Sequence, residues 1–250
     1  MRVLYNNWVK SATTITPLSE NPNYLFTDAW QDTRLTRYAR TVDDDDQTFV
    51  IDLGSERAVD YCAILGHNFS SGATIKIQAN ATNVWTAPSV DITLTYAADN
   101  IYYKFAATRT YRYWRLTVDD ASNTDTYLQI SKLWLSSYVQ FPYMAKSQKI
   151  PTASTSTSQE SISGQSYGDK KLIYRYGNIT FPYIDDTEKT TIDTLFRAVD
   201  KTDPILTLIW EEDIASYPPI YSRITSDLDW TRVDNVGRIW TVQFSFKEIF

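Results

Sequence analysis

The feature that most constrains this chain is a series of short runs in its first half where apolar and polar residues alternate. In ATIKIQA (73–79), Ile75 and Ile77 alternate with Thr74, Lys76 and Gln78; in VDITLTY (90–96), Val90, Ile92, Leu94 and Tyr96 alternate with Asp91, Thr93 and Thr95. A period of two places one set on each face of a pleated strand. FVIDLG (49–54), VDYCAILG (59–66), YRYWRLTV (111–118) and LQISKLWL (128–135) are further strand-like runs. In the third of these, Trp114, Leu116 and Val118 are predicted to point inward, with Arg112, Tyr113 and Arg115 nearer solvent. VDYCAIL is apolar almost throughout, which fits a central strand covered on both faces. In LQISKLWL the apolar phase slips between Leu128/Ile130 and Leu133/Leu135, which predicts a β-bulge near Ser131. Short strands separated by turn residues predict a sandwich or barrel. Residues 1–48, with turn signals at Pro17, Asn21-Pro22-Asn23 and Asp43 to Asp46, predict a lead-in strand and long loops.

The second half changes pattern. Residues 146–171 are rich in Ser, Thr, Gln and Gly and bury too little apolar surface to offset ordering, which predicts a long polar loop or linker. KLIYRYGNITFPYI (171–184) predicts a strand. Asp185 precedes Glu188 by three residues, a capping-box spacing, and Ile192, Leu195, Phe196 and Val199 then share one helical face. ILTLIW (205–210), IYSRIT (220–225), LDWTRVD (228–234) and IWTVQFSFKEIF (239–250) predict strands, the last two joined as a hairpin around Asn235 to Arg238. The fold class is therefore mainly β: a sandwich over 1–137, then a small antiparallel sheet with one packed helix over 138–250.

Composition removes several function classes. At 250 residues the chain holds one large or two ordinary domains and needs no disulfide staple. A net charge of −6 without a Lys/Arg cluster argues against a nucleic-acid partner. No apolar run reaches the roughly 18–20 residues that cross a bilayer, so no membrane partner is expected. The opening MRVLYNNWVK lacks a signal-peptide core, which predicts that the protein begins life in a cytoplasm and makes the N-x-S/T triplets at Asn68, Asn80 and Asn178 accidental. Cys62, the single cysteine, sits in an apolar run and reads as a buried thiol.

Catalysis by a histidine dyad or triad would have to use His67, in the turn LGHNFSSG. With no nucleophile motif beside it, His67 is expected, with Asn68, to cap loop carbonyls. No motif fixes the facing carboxylate pair that glycoside hydrolysis needs. The chain is read as a non-enzyme, with no catalytic residue and no cofactor. Asp43 to Asp46 is either a solvated loop tip or, through Asp43, Asp44 and Asp46, an oxygen-rich Ca²⁺ site without the EF-hand pattern.

FVIDLG, AILGHNFSSGATIKIQA and YRYWRLTVDD resemble discoidin-like (coagulation-factor type C) jelly-roll sandwiches, and LGHNFSSGATIKI is similar to such modules in tailed-bacteriophage structural proteins. The Ser/Gly-rich loop, the unit around IDTLFRAV and the terminal WTVQFSFKEIF make the second half similar to the ring-forming domain of siphophage distal tail proteins, although there the ring domain usually leads. The resemblance implies a structural component of a virion tail tip or baseplate. It implies partners in the form of a homo-oligomeric ring and the tube, tape-measure and hub proteins. It also implies residence in the virion after assembly in a host cytoplasm. The alternative is a carbohydrate-binding module or lectin with no virion role. Discoidin-like sandwiches bind sugars with end loops, which marks Trp8, Trp30, Arg37, Asn83 and Trp85 as glycan candidates, with Tyr38 and Arg40 beside them. Core or strand packing is weighed above ligand contact for each. Fucose-binding members carry an arginine at a fixed gap after a histidine; Ile92 occupies that position after His67. A structural calcium near the sandwich end also follows from the resemblance.

Overall fold

The computed structural model describes residues 1–141, 144, 149–209, 217–233 and 238–250. The chain forms two compact units, Asn6–Tyr138 and a second made of Met1–Tyr5 with Val139–Ile249. All strand pairings described are antiparallel.

In the first unit, FVIDLG and VDYCAILG are not two strands but parts of one, Gln47–His67, paired along most of its length with Asn100–Asp119. Outer neighbours change along this pair. Thr14–Pro17 lies against residues 49–52, Gln129–Ser136 against 61–67, and Thr74–Asn80 against 113–119. Val90–Leu94 extends the sheet beyond Thr74–Asn80, and Ala39–Arg40 extends it beyond Gln129–Ser136. The long pair bends where its register breaks, between Asp52 and Arg57 and between Val59 and Tyr61. Phe49, Ile51, Ile75, Ile77, Trp114 and Leu116 from one side of the bend share a core with Ile64, Ile101, Phe105, Leu133 and Leu135 from the other. One bent sheet thus makes both layers of a β-sandwich.

Asp52 fixes the bend. Its carboxylate accepts the Gly54 amide at 2.7 Å and a two-pronged guanidinium from Arg112 on the neighbouring strand, both contacts at 2.8 Å. The arginine holds the Asp52 carboxyl below its ordinary range. Gly54 has φ +76°, a left-handed conformation in which a glycine meets no side-chain penalty.

The phase slip in LQISKLWL is not a bulge. Gln129–Ser136 keeps one register against Gln47–His67 from Ile130 to Ser136, and every residue from Ile130 to Ser136 is buried. Alternation fails because the second face is also covered, by a short helix, Phe26–Gln31, that the sequence reading did not include. On that face Lys132 is buried at 1% exposure and its Nζ donates to the Ala29 carbonyl.

Burial pushes the Lys132 ammonium down to about 8 from 10.5. Between those values the unfolded chain keeps a proton that the folded one has released, so stability rises with pH across that window and the charge costs stability below it. Lys132→Met is expected to stabilise the protein at pH 7 by about 1–2 kcal/mol. It should also flatten the rise between pH 8 and 10.5. Chemical denaturation at a series of pH values checks both effects; an unchanged slope would show that Lys132 is not the group responsible.

The second unit differs from the expected 138–250 at its start. Arg2–Leu4 does not lead into the sandwich: it pairs with Ile205–Leu208 and Val139–Gln140, burying Val3 and Leu4. The rest of this sheet runs Thr152–Ser154, Ile173–Ile184, Trp240–Glu248, Ile220–Ile224, Ile205–Leu208, with Asp229–Arg232 also on Trp240–Glu248. The hairpin turn at 234–237, Trp210 of the expected 205–210 strand, and residues 146–148 of the expected loop lie outside the described residues. The helix Asp186–Val199 carries a complete capping box between Asp185 and Glu188 and buries Ile192, Leu195 and Val199 against Phe181, Val242, Phe244 and Phe246.

The expected loop contains three short strands. Thr152–Ser154 joins the sheet edge, and Thr157–Glu160 pairs with Ser166–Asp169 in a ribbon whose eight residues are all exposed. Main-chain hydrogen bonds and the turn at Gly164 (φ +80°) organise this arm without a core of its own.

Candidate functional site

On the sandwich unit, Asn23, Tyr24, Asp28, Thr36, Arg37 and Tyr38, with Leu25, line a pocket of about 270 Å³. Its walls come from two turns tied to one edge strand. The Asn21 side chain accepts the Asn23 amide at 3.0 Å, closing an Asx turn. The Asn21 amide then donates to the Arg40 carbonyl, and the Arg40 amide to the Tyr24 carbonyl. This places Tyr24 against Tyr38, rings nearly parallel (17°) and centroids 5.6 Å apart.

Arg40 serves as the clamp of this pair rather than as a free donor. Its guanidinium carbon lies 4.6–4.9 Å from the ring centroids of Tyr24, Tyr38 and Tyr127, and its Nε donates to Gln129 Oε1 at 3.1 Å. Arg37 projects into the pocket. Its Nη2 donates to Asp28 Oδ2 on the short helix at 2.8 Å, and its Nη1 to Asp32 Oδ2 at 3.3 Å. Arg34, then Arg37, hold the Asp32 carboxyl far below its usual range, so it stays ionised and anchors Arg37. Arg37 and Asp28 keep side-chain exposures of 43% and 52%, so both retain hydrogen-bonding capacity toward the pocket.

Of the five glycan candidates, Arg37 alone lines this pocket. Trp30 is excluded: it is fully buried, edge-on to Phe26 and tilted against Phe49, because it is the inward face of the unrecognised helix. Trp8 donates its indole N–H to the Ala58 carbonyl at 3.0 Å and lies under Arg57, as a packing element at the bend. Asn83 and Trp85 form a separate pair through a 2.7 Å hydrogen bond, with Arg115 over the indole at 4.6 Å. The sequence reading missed Tyr24, Asn23 and Asp28; the Asn-Pro-Asn-Tyr turn next to Tyr38 was the available signal.

The aspartate run divides. Asp43 and Asp44 organise the loop, Asp43 accepting the Asp44 amide at 2.9 Å and the Asp44 carbonyl accepting the Asp120 amide at 3.2 Å. Asp46 instead joins Asp45 and Asp119, their carboxylate oxygens all within 4.8 Å and all three residues exposed. The set expected from sequence, Asp43, Asp44 and Asp46, is therefore not the one the fold assembles. Asp45 titrates above its usual range because the Asp119 carboxyl lies against it. Calcium sites draw on carbonyls and several carboxylates; this trio brings three carboxylates on an open surface and is not assigned a metal.

His67 Nδ1 accepts the Phe69 amide at 3.2 Å and its ring stacks on Phe69; burial lowers its affinity for a proton, opposed by a hydrogen bond to the Ala97 backbone carbonyl. Asn68 caps a carbonyl, donating to the Tyr127 oxygen at 2.9 Å and accepting the Gln129 amide at 2.7 Å. Cys62 is buried as expected, and burial pushes its thiol up to about 12. Among the described residues no helix is long and apolar enough to cross a membrane.

No protein-family model matches this chain, and no curated protein matches it. Solved structures similar to about half of this chain include a chitosan-binding module of a chitosanase/glucanase from Paenibacillus sp. IK-5, 17% identical over 53% of this chain and 99% of that one, TM-score 0.43. A family 32 carbohydrate-binding module from C. perfringens NanJ, solved with galactose, is 18% identical over 56% of this chain and 100% of that one, TM-score 0.43. The lectin domain of lectinolysin, solved with Lewis B antigen, is 13% identical over 52% of this chain and 95% of that one, TM-score 0.41. These likenesses are weak, and the site stands on its own geometry.

Proposed function

We propose that the sandwich unit is a glycan-binding module that seats one sugar ring in the pocket of Tyr24, Tyr38, Asp28 and Arg37. The carrying observation is the meeting of two tyrosine rings with a half-exposed carboxylate–guanidinium pair in one small pocket. A sugar offers C–H faces that pack on aromatic rings, and neighbouring hydroxyls that pair with ionised groups through charge-assisted hydrogen bonds. The volume lies just under the roughly 300–1,000 Å³ of drug-sized sites, which suits a single ring. The module binds and does not cleave.

The test is a glycan array followed by titration calorimetry on the full chain. Arg37→Ala and Asp28→Asn are each expected to weaken binding by at least about tenfold, since each removes charge-assisted bonds. Both side chains are solvent-facing, so the thermal melt should stay in place. Wild-type affinity in both variants would refute the pocket.

The exposed arm favours a second reading alongside the first: a structural component of a phage virion tail tip or baseplate. In this reading the protein forms a homo-oligomeric ring, meets tube, tape-measure and hub proteins, and offers its sandwich to host-surface glycans. An isolated two-stranded ribbon is marginal in water. This one carries fully exposed Ile162 at its turn and exposed Tyr167, both suited to burial against a neighbouring subunit. Light scattering should find an oligomer for the full chain and a smaller species after deletion of residues 157–169. A wild-type monomer at high micromolar concentration would leave a glycan-binding module without a virion role.

A further inference from the structure

The sandwich carries a second polar cavity, of about 330 Å³, on the outward face of its sheet and apart from the loop pocket. The alternation that sends Ile75, Ile77, Leu116 and Val118 into the core sends Lys76, Gln78, Arg115, Thr117 and Asp119 outward. Strand register sets Gln78 opposite Arg115 and Lys76 opposite Thr117, so the two cations are diagonal neighbours on one face.

Arg115 is fixed in place. Its Nε donates to Gln78 Oε1 at 2.7 Å, and its guanidinium lies over Trp85 at 4.6 Å. Asp91, whose charge also acts on this guanidinium, accepts the Gln78 amide at 3.1 Å. Among the described residues neither Arg115 nor Lys76 makes an ion pair. At the other end of the cavity stand Asp46 and Asp119, which can accept hydrogen bonds. Strand register orders the cavity: Arg115 and Gln78 at one end, Lys76 and Thr117 in the middle, and Thr74 and Asp119 at the other.

A neutral sugar would offer Arg115 and Lys76 no anionic partner, and a simple anion would leave the acceptor end unused. A uronic acid has both features, one carboxylate and a set of hydroxyls on a single ring. We propose that this sheet-face cavity is a second saccharide site, selective for an acidic sugar whose carboxylate pairs with Arg115 and Lys76 and whose hydroxyls donate to Asp119 and Asp46.

The probe is trigalacturonic acid, with its fully methyl-esterified form as the neutral control, titrated into the full chain by calorimetry. The acid should bind at least about tenfold more tightly than the ester, and added salt should weaken the acid alone, because screening acts on the charge pairing. Lys76→Gln should weaken the acid by about tenfold, with the thermal melt reporting on the fold. Arg115→Gln should do the same; if that change disturbs Trp85 and the melt, Lys76→Gln decides. Equal affinity for acid and ester, unchanged affinity in Lys76→Gln, or no binding of the acid at millimolar concentration would overturn the proposal. The Tyr38→Ala variant separates the two sites: loss of acid binding there would assign it to the loop pocket and also overturn the sheet-face site.

Discussion

Replacing Trp30 with alanine is expected to destabilise the protein by about 3–5 kcal/mol, the range for truncating a buried large aromatic. Trp30 is fully buried, its ring centroid 5.1 Å from Phe26 and 5.6 Å from Phe49. It anchors the helix Phe26–Gln31, whose N-cap residue Leu25 offers no side-chain cap, against the Gln129–Ser136 and Thr14–Pro17 strands. Six residues do not hold a helix in water, so the helix depends on this packing. The loss should spread to Asp28 and Asp32, which position Arg37. Differential scanning calorimetry would show a transition roughly 10–20 °C lower for the unit that unfolds with it. Trp30→Phe should recover part of the loss. A shift of a degree or two would mean that Trp30 is exposed, and would return it to the glycan candidates.

Gly54→Val is expected to cost about 2–4 kcal/mol, from two separable causes. The φ of +76° is strained for any residue with a Cβ and most for a β-branched one. A Cβ there would also lie 2.5 Å from Thr13 Oγ1, well inside contact distance. Thr13→Ala removes the steric part and leaves the backbone part. The double variant should therefore recover some of the loss measured by urea denaturation, without reaching the stability of Thr13→Ala alone. Full recovery would place the whole effect in the contact; no recovery would place it in the bend.

What could be read from the residues follows from how local each signal is. The alternation in 74–80 and 90–94 and the Asp185–Glu188 capping box depend on neighbours in sequence, and they form as expected. The continuity of Gln47–His67 did not show, because residues 54–58 are exposed at the bend and interrupt the apolar pattern. The burial of Lys132 leaves no local signal, because the helix covering it is distant in sequence. Val3 and Leu4 gave no hint of their partners, which are supplied by Ile205–Leu208 and Val139–Gln140.

The site shows the same limit. Arg37 and Tyr38 stood out as residue types suited to sugars. Tyr24 joins them only through the backbone pairing of Asn21 and Tyr24 with Arg40, which no spacing encodes. The aspartate run advertised four carboxylates, but Asp119, from the end of another strand, completes the cluster that forms. Trp30 could be read as a sugar platform or a core plug, and the helix it belongs to, which no local pattern announces, settles it as core.

The most direct measurement is amide chemical-shift mapping of the ¹⁵N-labelled full chain, titrated with the sugar that the array selects. The account predicts saturable shifts centred on Asn23, Tyr24, Asp28, Arg37 and Tyr38, lost in Arg37→Ala. Shifts confined to other parts of the sandwich, or persisting unchanged in that variant, would contradict it.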